Sequence, residues 1–305
     1  MVRTVSVPAT SANLGPGYDS FGVALTLRNE FTAGLCDAWS VTVEGEGAGV
    51  LPVNVDNQVV RAMARVFAET GQPDLAARVV CRNAIPVGRG LGSSSAAIVG
   101  GLVLADALVS GGLGQERLFE LAVELEGHPD NVAAALFGGM TVCWVTSEGP
   151  HALRVEPFAG LAAVVSVSDS KFPTLAARAV LPDMVPHADA AFNVSRAALL
   201  VTGIAAGDAT LLREGLADRI HEQYRAAVVP DLEVVKRALL DAGADGAALS
   251  GAGPSIIGLV MAENADEALG RARDIVLRAH ALLESVKGRS QVRVLGIDRD
   301  GALLL

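Results

Sequence analysis

The first half of the chain alternates short apolar runs with stretches in which apolar residues recur at helical spacing. The apolar runs predict strands at residues 2–7, 23–27, 39–44, 76–85 and 140–146. Recurrence every three or four residues predicts helices at 57–69, 96–109 and 116–126, and a further helix within GHPDNVAAALFGG, residues 127–139. The first half is therefore predicted to mix strands and helices along its whole length.

The second half follows a different order. After a predicted strand at 161–167, helical spacing predicts helices at 189–206, 209–215, 232–242 and 266–283. Predicted strands at 246–250 and 255–260 flank a Gly-Ala-Gly-Pro turn, and a last strand is predicted at 291–297. Helix, strand, strand, helix and strand in this order predict an antiparallel sheet covered by helices, an α+β layout. The polar stretch SEGPHALRVEP predicts a domain boundary near residues 150–160.

A glycine loop, PVGRGLGSSSAA, joins the strand predicted at 76–85 to the helix predicted at 96–109. Glycines let backbone N–H groups approach an anion, and a helix N-terminus adds positive dipole, so this loop is predicted to bind phosphate. The three serine hydroxyls could reach phosphate oxygens or a Mg²⁺ ion. The loop residues predicted to bind the nucleotide are Pro86, Val87, Gly88, Arg89, Gly90, Leu91, Gly92, Ser93, Ser94, Ser95 and Ala96.

Two well-known phosphate loops do not fit this sequence. A P-loop needs G-x-x-x-x-G-K-[ST], and no lysine lies near the loop. A dinucleotide fingerprint needs a third glycine where Ser93 stands. A plain glycine turn ahead of a helix of small residues is the alternative interpretation.

The composition narrows the partners of this phosphate site. A net charge of −10 and a pI near 5.0 argue against nucleic acid, and no stretch suits a membrane span. Only three of the 24 basic residues are lysines, so positive charge at an anionic site must come mostly from arginine, metal or helix N-termini. Three cysteines without metal-ligand spacing predict free thiols in a reducing compartment. No apolar leader is visible at the N-terminus, so we expect a cytoplasmic protein.

Two further motifs are rich in turn-forming residues. PATSANLGPGYDSFG, residues 8–22, carries Asn13 and Asp19 between two predicted strands. Taken alone, this stretch is better explained as an ordinary surface loop with Asx turns. SGAGPS, residues 250–255, is a second glycine turn, for which a simple tight hairpin is the alternative.

A third group of polar residues surrounds a predicted helix start. Glu126 ends one predicted helix, Asp130 and Asn131 begin the next, and His128 lies between them. Taken alone, Asp130 is as well explained by an N-cap as by a catalytic role.

In order and in wording, these motifs resemble the three signature motifs of the GHMP kinase superfamily. PATSANLGPGYDSFG resembles the first, PVGRGLGSSSAA the second and LSGAGPSIIGL the third, over residues 5 to about 260. Within the superfamily, ANLGPGYDSFG and EGHPDNVAAALFGG are similar to the homoserine kinase family, as are TLAARAVLP around Arg178 and HEQYRAAVVP around Arg225. The resemblance implies an α+β protein with an N-terminal α/β domain, residues 1–155, that carries the glycine loop. A ferredoxin-like α+β domain, residues 156–305, would follow it.

The resemblance also implies an activity, the ATP-dependent phosphorylation of the L-homoserine side-chain hydroxyl to O-phospho-L-homoserine in threonine biosynthesis. Ser94 and Glu126 would hold Mg²⁺, and Asn57 would lie near the adenine. Two arginines would bind the substrate carboxylate and an aspartate its ammonium group. The implied substrate-binding residues are Asn13, Asp19, Asn131, Arg178, Arg225 and Gly253.

The implied catalytic residues are Glu126, Asp130 and Asn131. Asp130 could accept the hydroxyl proton as a general base. Alternatively, no enzymic base acts, the proton passes to the phosphate and Asn131 orients the hydroxyl. The expected partner is the small-molecule substrate, with neither nucleic acid nor membrane, and a homodimer is compatible with the resemblance.

Two other functions stay open at this point. One is a GHMP kinase for mevalonate, shikimate or a sugar, whose acceptors lack a carboxylate–ammonium pair. Convergence of Arg178, Arg225 and Asp19 would argue against it. The other is a relative that binds ligand without transferring phosphate. The intact Ser94, Glu126 and Asp130 argue against it.

Overall fold

The computed structural model describes residues 1–109, 112–169, 174–229, 231–283 and 290–305, so Pro230 of HEQYRAAVVP lies outside the described residues. The strands are β1 (Val2–Ala12), β2 (Phe21–Cys36), β3 (Ser40–Gly45), β4 (Ala76–Asn83), β5 (Met140–Thr146), β6 (Gly149–Val155), β7 (Leu161–Ser168), β8 (Gly246–Leu249), β9 (Ile256–Met261), β10 (Ser290–Gly296) and β11 (Leu303–Leu304). The helices are α1 (Gln58–Glu69), α2 (Ser93–Leu108), α3 (Gly114–Glu126), α4 (Pro129–Phe137), α5 (Thr174–Ala179), α6 (His187–Ala206), α7 (Ala209–Gly215), α8 (Glu222–Arg225), α9 (Leu232–Asp241) and α10 (Ala265–Leu282).

The first sheet has the order β11-β1-β2-β4-β3, with β5 paired to β2 and β6 to β5. Its described pairs are antiparallel apart from β3 and β4, which are parallel and joined through α1. β2 extends well beyond the predicted 23–27 because tertiary partners satisfy its polar residues. Asn29, for example, accepts hydrogen bonds from the backbone N–H groups of Ala84 and Ile85 at 2.7 and 2.9 Å.

The second sheet has the order β10-β7-β9-β8 and is antiparallel in every described pair. One helix-containing crossover joins β7 to β8, and another joins β9 to β10, which is the ferredoxin-like arrangement. Strand β7 is buried on both faces: Ala163 and Val165 lie in the core shared with the first sheet, and Ala162 and Val164 pack beneath α9 and α10. The predicted α+β fold and its ferredoxin-like second part are confirmed.

The stretch predicted as a boundary is more regular than expected. Within SEGPHALRVEP, β6 forms a hairpin with β5, with Met140 opposite Val155 and Thr146 opposite Gly149. The chain also returns to the first sheet at its end, because Leu303 and Leu304 of β11 pair with β1. The domain boundary after residue 155 stays a prediction. Among the described residues, the helices are too short or too polar to cross a bilayer.

Helix α2 packs closely against its neighbours because it carries two glycines. A Cβ on Gly101 would lie 2.5 Å from the Val59 carbonyl oxygen and 2.7 Å from the Ala62 Cβ in α1. A Cβ on Gly270, in the middle of α10, would meet nothing within 4 Å.

This contrast gives a stability prediction. Alanine is the better helix former by about 1 kcal/mol at either site. Gly270→Ala should therefore leave the free energy of unfolding unchanged or raise it, whereas Gly101→Ala should lower it by about 1–3 kcal/mol through overpacking. Urea unfolding of both variants beside the wild-type protein measures the difference. Equal effects of the two substitutions would contradict the packing described for α2.

Candidate active site

The glycine loop lies between β4 and α2, as the sequence predicts. Gly88, Gly90 and Gly92 have φ angles of +68°, +78° and +67°, in the left-handed region that favours glycine. Gly92 caps α2 without any side-chain hydrogen bond, which leaves the N-terminus of that helix without a side-chain acceptor. A Cβ on Gly92 would overlap Thr10 Oγ1, so only glycine fits there.

The SGAGPS turn holds this loop against strand β1. Ser250 Oγ donates to the carbonyl oxygen of Gly90 at 2.6 Å and is hydrogen-bonded to Ser11 Oγ at 2.8 Å. The Gly251 N–H donates to the Ala12 carbonyl at 2.8 Å. The turn is thus more than a tight hairpin, because it joins the second sheet to the loop and to the first sheet.

Ser94 and Glu126, the predicted metal ligands, are in contact. Ser94 Oγ donates to Glu126 Oε2 and Ser95 Oγ to Oε1, each at 2.7 Å. Hydroxyl and carboxylate oxygens are the hard donors that Mg²⁺ takes, and two protein ligands leave positions for phosphate and water. In the part of the chain that is described, no cluster of three His, Cys, Asp or Glu residues offers another metal site.

The start of α4 forms a second polar group. Asp130 is fully buried, and its Oδ1 accepts hydrogen bonds from the Asn131 N–H at 2.8 Å and from His128 Nδ1 at 2.7 Å. Asp130 Oδ2 is buried without a partner among the described residues. Burial lowers the pKa of His128, but the hydrogen bond and charge of Asp130 and the charge of Glu126 outweigh it, so that pKa is raised.

The Asn131 side chain is held from the other side by strand β1. Thr10 Oγ1 donates to Asn131 Oδ1 at 2.8 Å, so the amide nitrogen is the end left for a ligand. Asn131 and His128 line the cleft described below, whereas the buried Asp130 carboxyl does not.

The two predicted carboxylate-binding arginines also reach this region. Arg178, in α5, donates to both oxygens of Asp19, from Nη1 at 2.9 Å and from Nη2 at 2.6 Å. Burial lowers the pKa of Arg178, yet the hydrogen bond and charge of Asp19 raise it above its usual value. Asp19 itself follows a loop that Asn13 shapes, because Asn13 Oδ1 accepts from the Asp19 N–H at 2.8 Å.

Arg225 is 1% exposed and is held by backbone and imidazole acceptors. Its Nε donates to the Ala177 carbonyl at 3.3 Å, and its Nη1 to the Gly251 carbonyl and His221 Nδ1, both at 3.2 Å. His221 Nε2 lies 2.7 Å from the Gly15 carbonyl, so the imidazole carries its proton on Nε2. Arg225 Nη2 forms no hydrogen bond with any described residue, and burial lowers the pKa of this guanidinium.

One cleft brings these groups together. Its lining residues are Asn13, Gly88, Arg89, Gly90, Gly92, Ser93, Ser94, Ser95, Glu126, His128, Asn131, Arg178, Arg225, Gly251, Ala252 and Gly253. Of the predicted site residues, Asp19 reaches the cleft through Arg178, and Pro86, Leu91 and Ala96 are buried beside it.

A second cavity adjoins the first and shares Gly88, Ser93 and Ser94 with it. Asn57 lines this cavity but is also the N-cap of α1: its Oδ1 accepts from the Val59 N–H at 3.0 Å, and its Nδ2 donates to the Pro52 carbonyl at 2.7 Å. Val87 also lines the second cavity.

The sequence prediction missed three residues that this geometry makes important. They are Thr10 beside Asn131, His128 in the cleft wall and Ser250 on the glycine loop. His128 could have been found, since it lies between Glu126 and Asp130. A hydroxyl within a strand or turn carries no comparable signal.

Comparison with known proteins identifies the family of this chain. The GHMP kinase N-terminal domain model matches residues 57–139, and the GHMP kinase C-terminal model matches residues 200–276. A homoserine kinase of Clavibacter michiganensis is 45% identical over 257 residues, 83% of this chain and 81% of that protein. A homoserine kinase of Desulfitobacterium hafniense is 38% identical over 305 residues, with 100% of both chains covered.

A solved structure gives the same result. The crystal structure of homoserine kinase from Cytophaga hutchinsonii superposes with a TM-score of 0.88 at 28% identity. The match covers 100% of this chain and 97% of that one.

The contact between the SGAGPS turn and the glycine loop can be tested on stability alone. Alanine at Gly88 or Gly90 pays the same left-handed penalty of about 1–2 kcal/mol. Only at Gly90 would the new Cβ overlap the Ser250 carbonyl; at Gly88 it would meet nothing within 4 Å. We predict that Gly90→Ala loses about 1–3 kcal/mol more unfolding free energy than Gly88→Ala in denaturant titrations. Equal losses would show that the turn does not constrain the loop.

Proposed function

The chain belongs to the homoserine kinase family of the GHMP kinases, and we propose that its cleft transfers a phosphoryl group from ATP to L-homoserine. The protein is a homoserine kinase, which acts in threonine biosynthesis. One observation carries the proposal: the glycine loop, the Ser94–Glu126 pair and both acceptor arginines line a single cleft.

The nucleotide is proposed to lie across both cavities. Its phosphates would bind the glycine loop and the N-terminus of α2, which no side chain caps. Its base would occupy the adjoining cavity beside Asn57, reached past Gly88, Ser93 and Ser94. One N–H of the Asn57 side-chain amide is not used in capping α1, so it could donate a single hydrogen bond to the adenine.

Ser94 and Glu126 are proposed to hold Mg²⁺. Bound there, the ion would neutralise phosphate charge, which phosphoryl transfer requires more than covalent chemistry. Ser95 donates to the other Glu126 oxygen and so fixes the carboxylate toward Ser94. Among the described lining residues of the cleft there is no lysine, so a bound cation would add to the positive charge that the arginines supply.

The acceptor end suits a free amino acid. Without substrate, Arg178 and Asp19 satisfy each other in a two-bond ion pair. An amino-acid zwitterion would place its carboxylate against Arg178 and Arg225 and its ammonium against Asp19, so one ion pair is replaced by two. Mevalonate, shikimate and sugars lack this pair of charges, and the contact of Arg178 with Asp19 therefore favours homoserine. Asn13 and Gly253 complete the lining of this end.

For the reacting hydroxyl, the geometry favours orientation over proton abstraction. The new bond joins the hydroxyl oxygen to the γ-phosphorus, the bond from that phosphorus to the bridging oxygen breaks, and the hydroxyl proton passes to the transferred phosphoryl group. Asn131, fixed by Thr10, would hold the hydroxyl. Asp130 is buried and bonded to Asn131 and His128, so we assign it a positioning role. A cytoplasmic location and a homodimer remain predictions.

Removing the proposed metal ligand should abolish turnover. Glu126→Gln keeps the shape and removes the charge, so we expect kcat to fall by about 100-fold or more while the fold survives. Glu124→Gln on the same helix, at an exposed surface pair with Arg65, is the matched control and should retain wild-type kcat. A coupled ADP-release assay across a Mg²⁺ titration measures both. A wild-type kcat for Glu126→Gln would contradict the metal-binding role and show that Glu126 is only structural.

Substrate identity can be tested through Arg178. Arg178→Ala removes a charge-assisted contact of about 1.5–3 kcal/mol, which predicts a roughly 10- to 100-fold loss in kcat/KM for homoserine. Arg178→Lys should recover only part of it, because lysine lacks the planar fork. Exposed Arg237→Ala in α9 is the control. The KM for ATP should stay unchanged; if instead ATP binding failed and homoserine binding persisted, Arg178 would be a phosphate ligand.

A further inference from the structure

The two arginines at the acceptor end share one aromatic neighbour, Tyr18. Its ring centroid lies 5.6 Å from Arg178 Cζ and 5.3 Å from Arg225 Cζ. Both distances fall within the range of about 6 Å over which a ring face attracts a guanidinium. Arg178 Nη1 also donates a hydrogen bond of 3.0 Å to the Tyr18 hydroxyl. One side chain therefore contacts both cations.

The Tyr18 ring offsets part of the repulsion between the Arg178 and Arg225 guanidinium groups. Burial lowers the pKa of Arg225, and the positive charge of Arg178 adds to that lowering. Asp19 compensates Arg178 through two hydrogen bonds but makes none to Arg225. The ring face attracts both guanidinium groups, and of their N–H groups only those on Arg178 Nη1 donate to Tyr18. Arg225 Nη2 has no hydrogen bond to a described residue.

Tyr18 also contacts His221, which is hydrogen-bonded to Arg225. The Tyr18 ring lies 5.6 Å from the His221 ring at an interplanar angle of 35°. His221 Nδ1 in turn accepts from Arg225 Nη1. Tyr18, His221 and Arg225 thus form a packed group at the end of the first-motif loop, and Tyr18 is absent from the cleft lining itself.

We propose that Tyr18 is a positioning residue for the acceptor carboxylate. It holds Arg178 and Arg225 facing one point, so that a single carboxylate meets both guanidinium groups. This inference rests on the proposed function, because it requires an acceptor that carries a carboxylate. A ring that merely filled space would affect every acceptor equally.

The test compares two acceptors in three variants. L-Homoserine carries the carboxylate, and 3-aminopropan-1-ol is the same molecule with hydrogen in its place. Tyr18→Leu removes ring and hydroxyl, Tyr18→Phe removes the hydroxyl alone, and Tyr224→Leu, at the other tyrosine of the chain, is the control. KM and kcat for each acceptor, and KM for ATP, come from coupled ADP release, with thermal unfolding as the check on folding.

For Tyr18→Leu we expect the homoserine KM to rise about 5- to 30-fold, with the KM for ATP unchanged. Tyr18→Phe should keep the fold and raise the homoserine KM less than about fivefold. Neither variant should alter kcat/KM for 3-aminopropan-1-ol, and Tyr224→Leu should match the wild type.

Equal losses for both acceptors, or an unchanged homoserine KM in both Tyr18 variants, would overturn the inference and leave the kinase assignment intact. A wild-type protein that fails to phosphorylate homoserine would instead overturn the proposed function, and this inference with it.

Discussion

The hydrogen bonds of Ser250 hold two separate sheets around one cleft. Its hydroxyl bonds the Gly90 carbonyl on the glycine loop and Ser11 on β1, and the next residue, Gly251, donates to Ala12. The glycine loop belongs to the first sheet and the turn to the second, so these bonds set how far apart nucleotide and acceptor groups lie. Phosphoryl transfer depends on that placement, because most of the reduction in its activation barrier comes from positioning the reactants and neutralising their charge.

The described lining of the cleft contains arginine but no lysine. The glycine loop supplies backbone dipoles, and Arg89, Arg178 and Arg225 supply fixed positive charge. In the proposed site, Ser94 and Glu126 would supply oxygen ligands for a cation. Each arginine is restrained differently: Arg178 by Asp19, and Arg225 by carbonyl groups and His221. In the proposed complex, the acceptor carboxylate would take Arg178 from Asp19 and would meet Arg225 in a position that its backbone contacts already fix.

Local patterns predicted most of the elements, and the resemblance of the motifs pointed to residues that the structure brings into one cleft. The glycine loop could be placed because three glycines between an apolar strand and an apolar helix have few other uses. Strand β6 could not be predicted, because Gly149 and Pro150 interrupt the alternation of apolar and polar residues. Its pairing with β5 is visible only in the tertiary structure. The length of β2 was missed for a related reason, since residues such as Asn29 find partners far away in sequence.

Within the site, too, some features could be predicted from the sequence and others are visible only in the structure. The family resemblance led us to expect Ser94 and Glu126 close together. Only packing reveals that Asp130 is fully buried and that the Asn57 side chain caps α1. Thr10 and Tyr18 act through their neighbours, and such roles leave no mark in a single sequence.

The most direct test of the account is ADP release from Mg²⁺–ATP with homoserine, mevalonate, shikimate and galactose offered separately at equal concentration. The account predicts release with homoserine alone, matched mole for mole by O-phospho-L-homoserine. Release with mevalonate, shikimate or galactose and none with homoserine would contradict it, because the paired charges of Arg178 and Asp19 would then serve some other acceptor.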